Sequence, residues 1–396
     1  MLGRFVDVKP MSDEEFARQR AKILTDVPVP AFWLFGKTGS GKTSIVRYLT
    51  GETDAAIGNG FRPETRQSRQ YEFPAADSPL LRFFDTRGLG EHEYDPADDI
   101  QRLDESAHVM IVTARASDHA LAELIGPLQQ IRKSRPDRPV VLALTWLHEF
   151  YPQQQHPHPD PFDKNSEEFD KNSEEEVPAE LHRSLQQQHQ QFSHLVDRIV
   201  PVDFTRPEEG FDAPYFGGER LKTALIDLLP AAYRSALMQL DQAMQSLHDL
   251  NSRRAMPYIL GYSSMAAAAA AAPVIWVDIP AVLAIQSRMV SRLAGVYDQS
   301  FDKQTLLTMT TAVGGRILAR LALRGPLKLV PWLGMTANAA MAFAYTYALG
   351  KACCWYFGQI QKGNVPSAAE LERVWSEQLT TASSLWSRQR EEPQPS

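Results

Sequence analysis

The chain has 396 residues, a hydrophobic share of 43% and a formal net charge of −7. This length predicts two or three domains, and the apolar content permits a sizeable core. The acidic balance argues against binding through bulk electrostatic attraction to phosphates, so nucleic acid is not expected as a partner.

The amino-terminal segment indicates a cytoplasmic protein. Residues 1–16 lack the apolar core of a signal peptide, and residues 11–24 read as a polar helix. The two cysteines, Cys353 and Cys354, are neighbours, which rarely form a disulfide, so a reducing compartment is predicted.

The stretch from 31 to 43, AFWLFGKTGSGKT, is an apolar strand followed by G-x-x-x-x-G-K-[ST]. Small residues let backbone N–H groups curl around a phosphate, and the following helix directs its positive end at the same anion. Lys42 is predicted to reach the β- and γ-phosphates as a catalytic residue, and the Thr43 hydroxyl to ligate Mg²⁺. The nucleotide-binding residues predicted here are Gly36, Lys37, Thr38, Gly39, Ser40, Gly41, Lys42, Thr43 and Ser44.

Further apolar runs alternate with helical patterns along the first half of the chain. The runs at 69–73 and 80–84 predict a hairpin, and three more lie at 108–113, 140–144 and 199–204. A helical pattern at 121–131 separates two of them. The alternation predicts a mostly parallel sheet covered by helices.

One insert interrupts this pattern. The heptamer FDKNSEE occurs at 162–168 and again at 169–175, within a Gln-, His- and Pro-rich stretch that begins near Tyr151. Such composition buries too little apolar area to order itself, which favours a solvated surface loop over a binding segment.

The segment Asp85-Thr86-Arg87-Gly88 fits D-x-x-G at the end of a predicted strand. In this position Asp85 can hold Mg²⁺ through water, and Gly88 can present its N–H to the γ-phosphate. A plain Asp–Gly turn is the alternative. Thr65 is the predicted second hydroxyl for Mg²⁺, with Thr53 and Ser68 as rivals, so Thr65 and Gly88 join Lys42 as predicted catalytic residues.

On these motifs, residues 31–205 resemble a small G domain of the Era/TrmE/septin-like group of translation-factor-related GTPases. The resemblance implies an α/β fold, a three-layer P-loop NTPase domain with a mostly parallel six-stranded sheet. It also implies GTP and GDP as ligands, Mg²⁺ as cofactor and GTP hydrolysis as activity.

The sequence departs from the family pattern at two places. One affects recognition of the guanine base, and the other affects the rate of GTP hydrolysis. The guanine-reading N-K-x-D motif is replaced by Thr145-Trp146-Leu147-His148, without a carboxylate. Thr145 and His148 are the predicted base contacts, and packing at a strand end is the alternative for His148 and Trp146. Leu89 stands where many G domains have a water-orienting Gln, which predicts slow hydrolysis unless a partner or dimerisation completes the site.

From about Leu221 the chain reads as all-helical. The uncharged stretches between Arg254 and Asp278 and between Lys328 and Lys351 each exceed the roughly 20 residues that span a bilayer. They are alanine-rich, so membrane contact and a soluble helical core both remain open. Residues 273–358 resemble the YcjF-like domain of unknown function, which implies a membrane-associated helical domain.

These observations predict a layout and a function. The chain is expected to be a GTP-binding switch with slow hydrolysis, coupled to a helical domain at the inner face of the cell membrane. The alternatives are an ATP-binding P-loop protein and a nucleotide-bound scaffold without turnover. Expected partners are GTP or GDP, a membrane lipid or membrane protein, and a second copy of the chain. The segments are an extension at 1–28, a G domain at 29–230 with an insert at 151–178, a linker helix at 231–258, a helical domain at 259–380 and a disordered tail at 381–396.

Overall fold

The protein divides into two compact units in the computed structural model. The sheet-containing unit comprises 29–76 and 81–237, and the helical unit comprises 1–28, 77–80 and 238–396. The structure describes residues 13–53, 57, 62–63, 68–86, 106–158, 160–162, 177–212, 214–245, 249–271, 278–299 and 331–391. The repeated heptamer, from 163 onward, and the last five residues of the predicted tail lie outside this range.

The elements described are as follows. The strands are β1 (Ala31–Gly36), β2 (Arg62–Pro63), β3 (Ser68–Phe73), β4 (Leu81–Thr86), β5 (Val109–Arg115), β6 (Val140–Thr145) and β7 (Arg198–Pro201). The helices are α1 (Asp13–Asp26), α2 (Lys42–Thr50), α3 (Ala122–Ser134), α4 (Ala179–Phe192), α5 (Gly218–Leu228), α6 (Ala231–Gln245), α7 (Leu250–Ala271), α8 (Asp278–Val296), α9 (Pro331–Gln361) and α10 (Ala368–Glu391).

The strands form one sheet in the order β2-β3-β4-β1-β5-β6-β7. Strand β1 is parallel to both β4 and β5, and β6 and β7 continue the parallel part. Strands β3 and β4 form the predicted antiparallel hairpin, and the two-residue β2 pairs with β3 at the edge. The mostly parallel α/β fold predicted from the sequence is confirmed, and each of the six apolar runs contributes a strand.

The sheet is buried because its parallel strands are covered on both faces. All six residues of β1 and of β6 are buried, which is why these strands read as continuous apolar runs rather than alternating ones. Helix α3 adds Leu124 and Leu128 to the core, and α4 adds Leu181 and Leu185. Burial of each such side chain contributes about 1.5–3 kcal/mol relative to exposure.

The helical unit is held by close contacts between helices. Helix α9 packs against α7 and α10, and α8 packs against α7. At Gly350 a Cβ would lie 2.8 Å from Ile259 Cγ1, so the small residue sets the approach of α9 to α7. Cys353 and Cys354 are both buried within α9. Among the described helices, none has the combined length and hydropathy required to cross a bilayer.

Candidate functional site

The loop between β1 and α2 contains the predicted phosphate-binding residues. Gly39 (φ 75°) and Gly41 (φ 98°) adopt left-handed backbone conformations that glycine tolerates better than other residues. Gly41 also precedes the first residue of α2. Because the first-turn N–H groups of a helix have no intrahelical acceptor, the loop presents donors and a positive helix end at its C-terminal side.

Lys42 lies across this loop. Its Nζ donates to the carbonyl oxygens of Gly36 (2.6 Å) and Lys37 (3.0 Å) and is 3.9 Å from Asp85 Oδ1. Burial lowers the pKa of Lys42, and the negative charge of Asp85 opposes that shift. The ammonium group is therefore held by carbonyl oxygens and one carboxylate at the position predicted for phosphate contact.

Asp85 fits a cation-binding role. Burial raises its pKa, while the charges of Lys42 and Arg69 lower it. Its Oδ1 is buried and accepts no hydrogen bond from the described residues, an arrangement that costs free energy unless a cation compensates it. Thr43 is exposed at the start of α2. Among the described residues, no cluster of three or more His, Cys, Asp or Glu side chains is arranged to hold a metal alone.

Hydroxyl groups at the ends of β5 and β6 hydrogen-bond the loop at 36–43. Ser40 Oγ donates to Lys37 O at 2.7 Å and also hydrogen-bonds Thr113 Oγ1. Thr145 Oγ1, which is buried, donates to Ser40 O at 2.9 Å. At Gly36 a Cβ would lie 2.6 Å from the carbonyl oxygen of Thr113. Thr145 thus contacts the loop backbone directly, although it lies more than 100 residues further along the chain.

The residue after Thr145 packs on the same loop. Trp146 has a left-handed backbone (φ 62°), and its Nε1–H donates to Gly39 O at 3.1 Å. The guanidinium of Arg115 lies 3.9 Å from the centre of the indole ring and also donates to Gly39 O at 3.1 Å. Arg115 therefore covers one face of the indole.

His148 is bound to a buried carboxylate. Both its backbone N–H and its ring Nδ1 lie 2.7 Å from Asp203 Oδ2, and Asp203 is 4% exposed. Since an ionised carboxylate only accepts hydrogen bonds, the contact places a proton on Nδ1 and leaves Nε2 for another partner. Burial alone would lower the pKa of His148, but the hydrogen bond and charge of Asp203, aided by Glu149 and Glu209, raise it.

A second histidine approaches the same carboxylate. His156 Nε2 is 3.5 Å from Asp203 Oδ2, and its ring stacks on Phe216. Burial lowers the pKa of His156, with Asp203 opposing the shift and His148 and His158 adding to it. The pKa values of these two histidines, which approach the same carboxylate, are therefore shifted in opposite directions.

The structure brings together only part of the predicted site. Residues 36–44, Asp85, Thr145 and His148 are described, whereas Thr65, Gly88 and Leu89 lie outside the described residues. The Lys37 ammonium turns to Asp118 (3.0 Å) and Glu123 (3.7 Å) rather than to the Lys42 side of the loop.

The sequence analysis did not identify two residues that contact the loop. Thr113 and Arg115 lie at the carboxyl end of β5, beside β1, which is the edge where parallel strands deliver site residues. Their position at that edge is the signal that could have found them.

Comparison with known proteins agrees with this organisation. Residues 31–146 match the family described as 50S ribosome-binding GTPase, and residues 233–384 match DUF697, a domain of unknown function. Among solved structures, a GTP-binding protein from the hyperthermophilic archaeon Sulfolobus solfataricus, in complex with GDP, matches at 13% identity. The match covers 57% of each chain, so this chain spans little more than half of that relative, with a TM-score of 0.27. No curated protein matches the chain.

The two matched regions include the features on which the resemblance was based. The first contains the phosphate-binding loop, Asp85 and Thr145, and the second contains α7 to α9 and most of α10. The sequence-based identification is confirmed at the level of domains: a P-loop domain of the GTPase type precedes a carboxy-terminal helical domain of the DUF697, or YcjF-like, type.

Proposed function

We propose that the chain hydrolyses GTP slowly with Mg²⁺ and acts as a nucleotide switch. The observation that carries this proposal is the loop at 36–43, where Lys42 and Asp85 face each other at 3.9 Å beside the start of α2. Thr43 and Asp85, with Thr65, would hold Mg²⁺, which neutralises charge on the phosphates. Lys42 would exchange its carbonyl contacts for β- and γ-phosphate oxygens, since an anion is a stronger acceptor for an ammonium group.

Base selection would depend on His148. Guanine offers N–H donors at N1 and N2, and a neutral His148 has an acceptor at Nε2 while Nδ1–H is held by Asp203. Protonation converts Nε2 into a donor, which no longer matches guanine. Because the pKa of His148 is raised, affinity for GTP should fall as the pH is lowered through that pKa.

The test compares fluorescent GTP and ATP analogues across pH 5.5–8.5 with wild type, His148→Gln and Lys42→Ala. GTP preference that weakens at low pH in wild type but not in His148→Gln supports the base assignment. Preference for ATP at every pH contradicts it. Lys42→Ala is the control, because losing the charge-assisted phosphate contacts should weaken both nucleotides about tenfold or more.

Two competing functions follow from particular residues. The absence of a carboxylate from 145–148 favours ATP binding, and Leu89 favours a scaffold that holds nucleotide without turnover. Phosphate release in a single turnover separates the scaffold from the enzyme: wild type should release phosphate slowly, and Asp85→Ala more slowly still. Equal absence of release from both would favour the scaffold.

We also propose that the protein is cytoplasmic and associates with the inner face of the membrane through its helical domain. The support is the pair of uncharged stretches at 255–277 and 329–350. Flotation of the full chain with liposomes, with GDP or a non-hydrolysable GTP analogue, tests this. If the protein stays unbound in both nucleotide states, the stretches serve protein packing alone. Analytical ultracentrifugation in the same two states tests self-association.

A further inference from the structure

The helical unit contains a cavity that the nucleotide site does not use. Its volume is about 570 Å³, within the range of roughly 300–1,000 Å³ that small-molecule sites occupy. The start of α7, the residues just after α8, the second half of α9 and the middle of α10 form its walls. Charged side chains and aromatic side chains both line it, among them Lys351, Lys362, Arg373, Tyr297 and Trp355.

The charges around this cavity do not balance. Arg373 Nη1 pairs with Glu377 Oε1 at 3.1 Å. Hydrogen bonds from Ser252 lower the pKa of the Asp249 carboxyl, and the nearby charge of Lys362 adds to that shift. Within the described part of the chain, Lys351 forms no hydrogen bond or ion pair with a carboxylate. The described lining residues therefore carry three cations and two carboxylates, an excess of one positive charge.

Lys351 is also partly buried. Burial lowers the pKa of its ammonium group, and the nearby Cys354 opposes that shift. Burial in turn raises the pKa of the Cys354 thiol to about 12, so the thiol stays neutral near pH 7 and supplies no counter-charge. A partly buried ammonium without an anion costs free energy, which a bound anion would recover.

We propose that this cavity binds a small organic molecule carrying a single oxyanion, with Lys351 as its counter-ion. One negative charge matches the single excess cation among the described lining residues, whereas a dianion would leave an excess of negative charge. Gln359 and Gln378 supply neutral hydrogen-bonding groups, and Trp355 and Tyr297 provide surface for the organic part. The volume is far larger than an inorganic ion needs.

The proposal is tested by calorimetric titration of the full chain with ligands that share a glycerol skeleton. Glycerol is neutral, glycerate and glycerophosphoglycerol carry one charge, and glycerol phosphate carries nearly two at pH 7.5. Saturable binding is expected for the singly charged compounds, and at least tenfold weaker binding for glycerol. Vesicles of phosphatidylglycerol, against phosphatidylcholine, show whether a lipid headgroup or a soluble molecule supplies the oxyanion.

Two variants make the result specific to Lys351. Lys351→Met should weaken binding of the singly charged compounds about tenfold or more, since a hydrogen bond to a charged group is lost. It should also raise the melting temperature without ligand, because an uncompensated cation is removed. Lys133→Met, exposed on α3, controls for net charge. Failure of every singly charged probe to bind, or equal binding by Lys351→Met, overturns the proposal.

Discussion

Replacing Asp203 with Asn tests whether one carboxylate organises the segment that follows β6. Asp203 accepts two hydrogen bonds of 2.7 Å from His148, one from the backbone and one from the ring. A hydrogen bond to a charged group contributes about 1.5–3 kcal/mol, and one to a neutral group about 0.5–1.5 kcal/mol. Asn keeps one acceptor oxygen without the charge, so Asp203→Asn should destabilise the sheet-containing unit by about 2 kcal/mol.

The pKa shifts of the two histidines determine how folding stability should change with pH. The folded-state pKa of His148 is raised above the unfolded value of 6.5. Its contribution to stability is therefore fully present below pH 6.5 and is lost as the pH rises through the folded-state pKa. His156 has a lowered pKa, so its contribution is present above pH 6.5 and is lost as the pH falls through its folded-state pKa. Asp203→Asn should remove the loss on the alkaline side.

The assay is urea unfolding between pH 5 and 9, followed by hydrogen exchange in the peptide covering 140–151. Asp197→Asn is the matched control, because Asp197 accepts from the Val140 N–H (2.7 Å) and from Arg132 (2.8 Å) at the opposite end of β6. It should destabilise the unit without changing the alkaline slope. If Asp203→Asn retains the wild-type dependence of stability on pH above neutrality, as Asp197→Asn should, the pairing of His148 with Asp203 does not govern this region.

Three further substitutions test separate contacts. Gly41→Ala should weaken nucleotide binding and cost about 1–2 kcal/mol of stability, since its φ is 98° and the new Cβ would lie 3.2 Å from Thr145 Cγ2; titration with a fluorescent GTP analogue and thermal melting measure both effects. Thr145→Val removes the hydrogen bond to Ser40 O and should cost about 1–3 kcal/mol in urea unfolding, whereas Thr145→Ser should retain it. Gly261→Ala should destabilise the helical unit, because its Cβ would lie 2.5 Å from the backbone oxygen of Ser78; an unchanged melting temperature would contradict that packing.

The phosphate-binding half of the site could be predicted because its chemistry is local. Seven of the eight residues in the loop are glycine, lysine or threonine, and the strand before it is an uninterrupted apolar run. The backbone conformation of the loop and the start of α2 are both set within that short stretch. The predictions for Lys42 and Asp85 needed only one further step, the placement of β4 beside β1.

The surroundings of the proposed base contacts at 145–148 could not be predicted in the same way. The partners of residues 145–148 come from the loop at 36–43, from β5 and from the segment after β7, and no local sequence pattern identifies them. Asp203 is about 55 residues from His148, and its role depends on a buried position that only the folded chain supplies. Arg115 is the last residue of the largely apolar strand β5. Nothing in the sequence around it distinguishes it from an ordinary strand end.

The helical unit shows why an uncharged stretch is an ambiguous signal. In α7 the Tyr262 hydroxyl donates to Asp77 Oδ2 at 2.9 Å, and Ser263 Oγ donates to Ile259 O at 2.6 Å. Arg292 Nη2 lies 3.2 Å from the same Asp77 oxygen. A helix facing lipid would leave such a carboxylate and its cation in a medium where each is costly. The absence of charged residues from 255–271 of α7 therefore reflects packing against protein on this face.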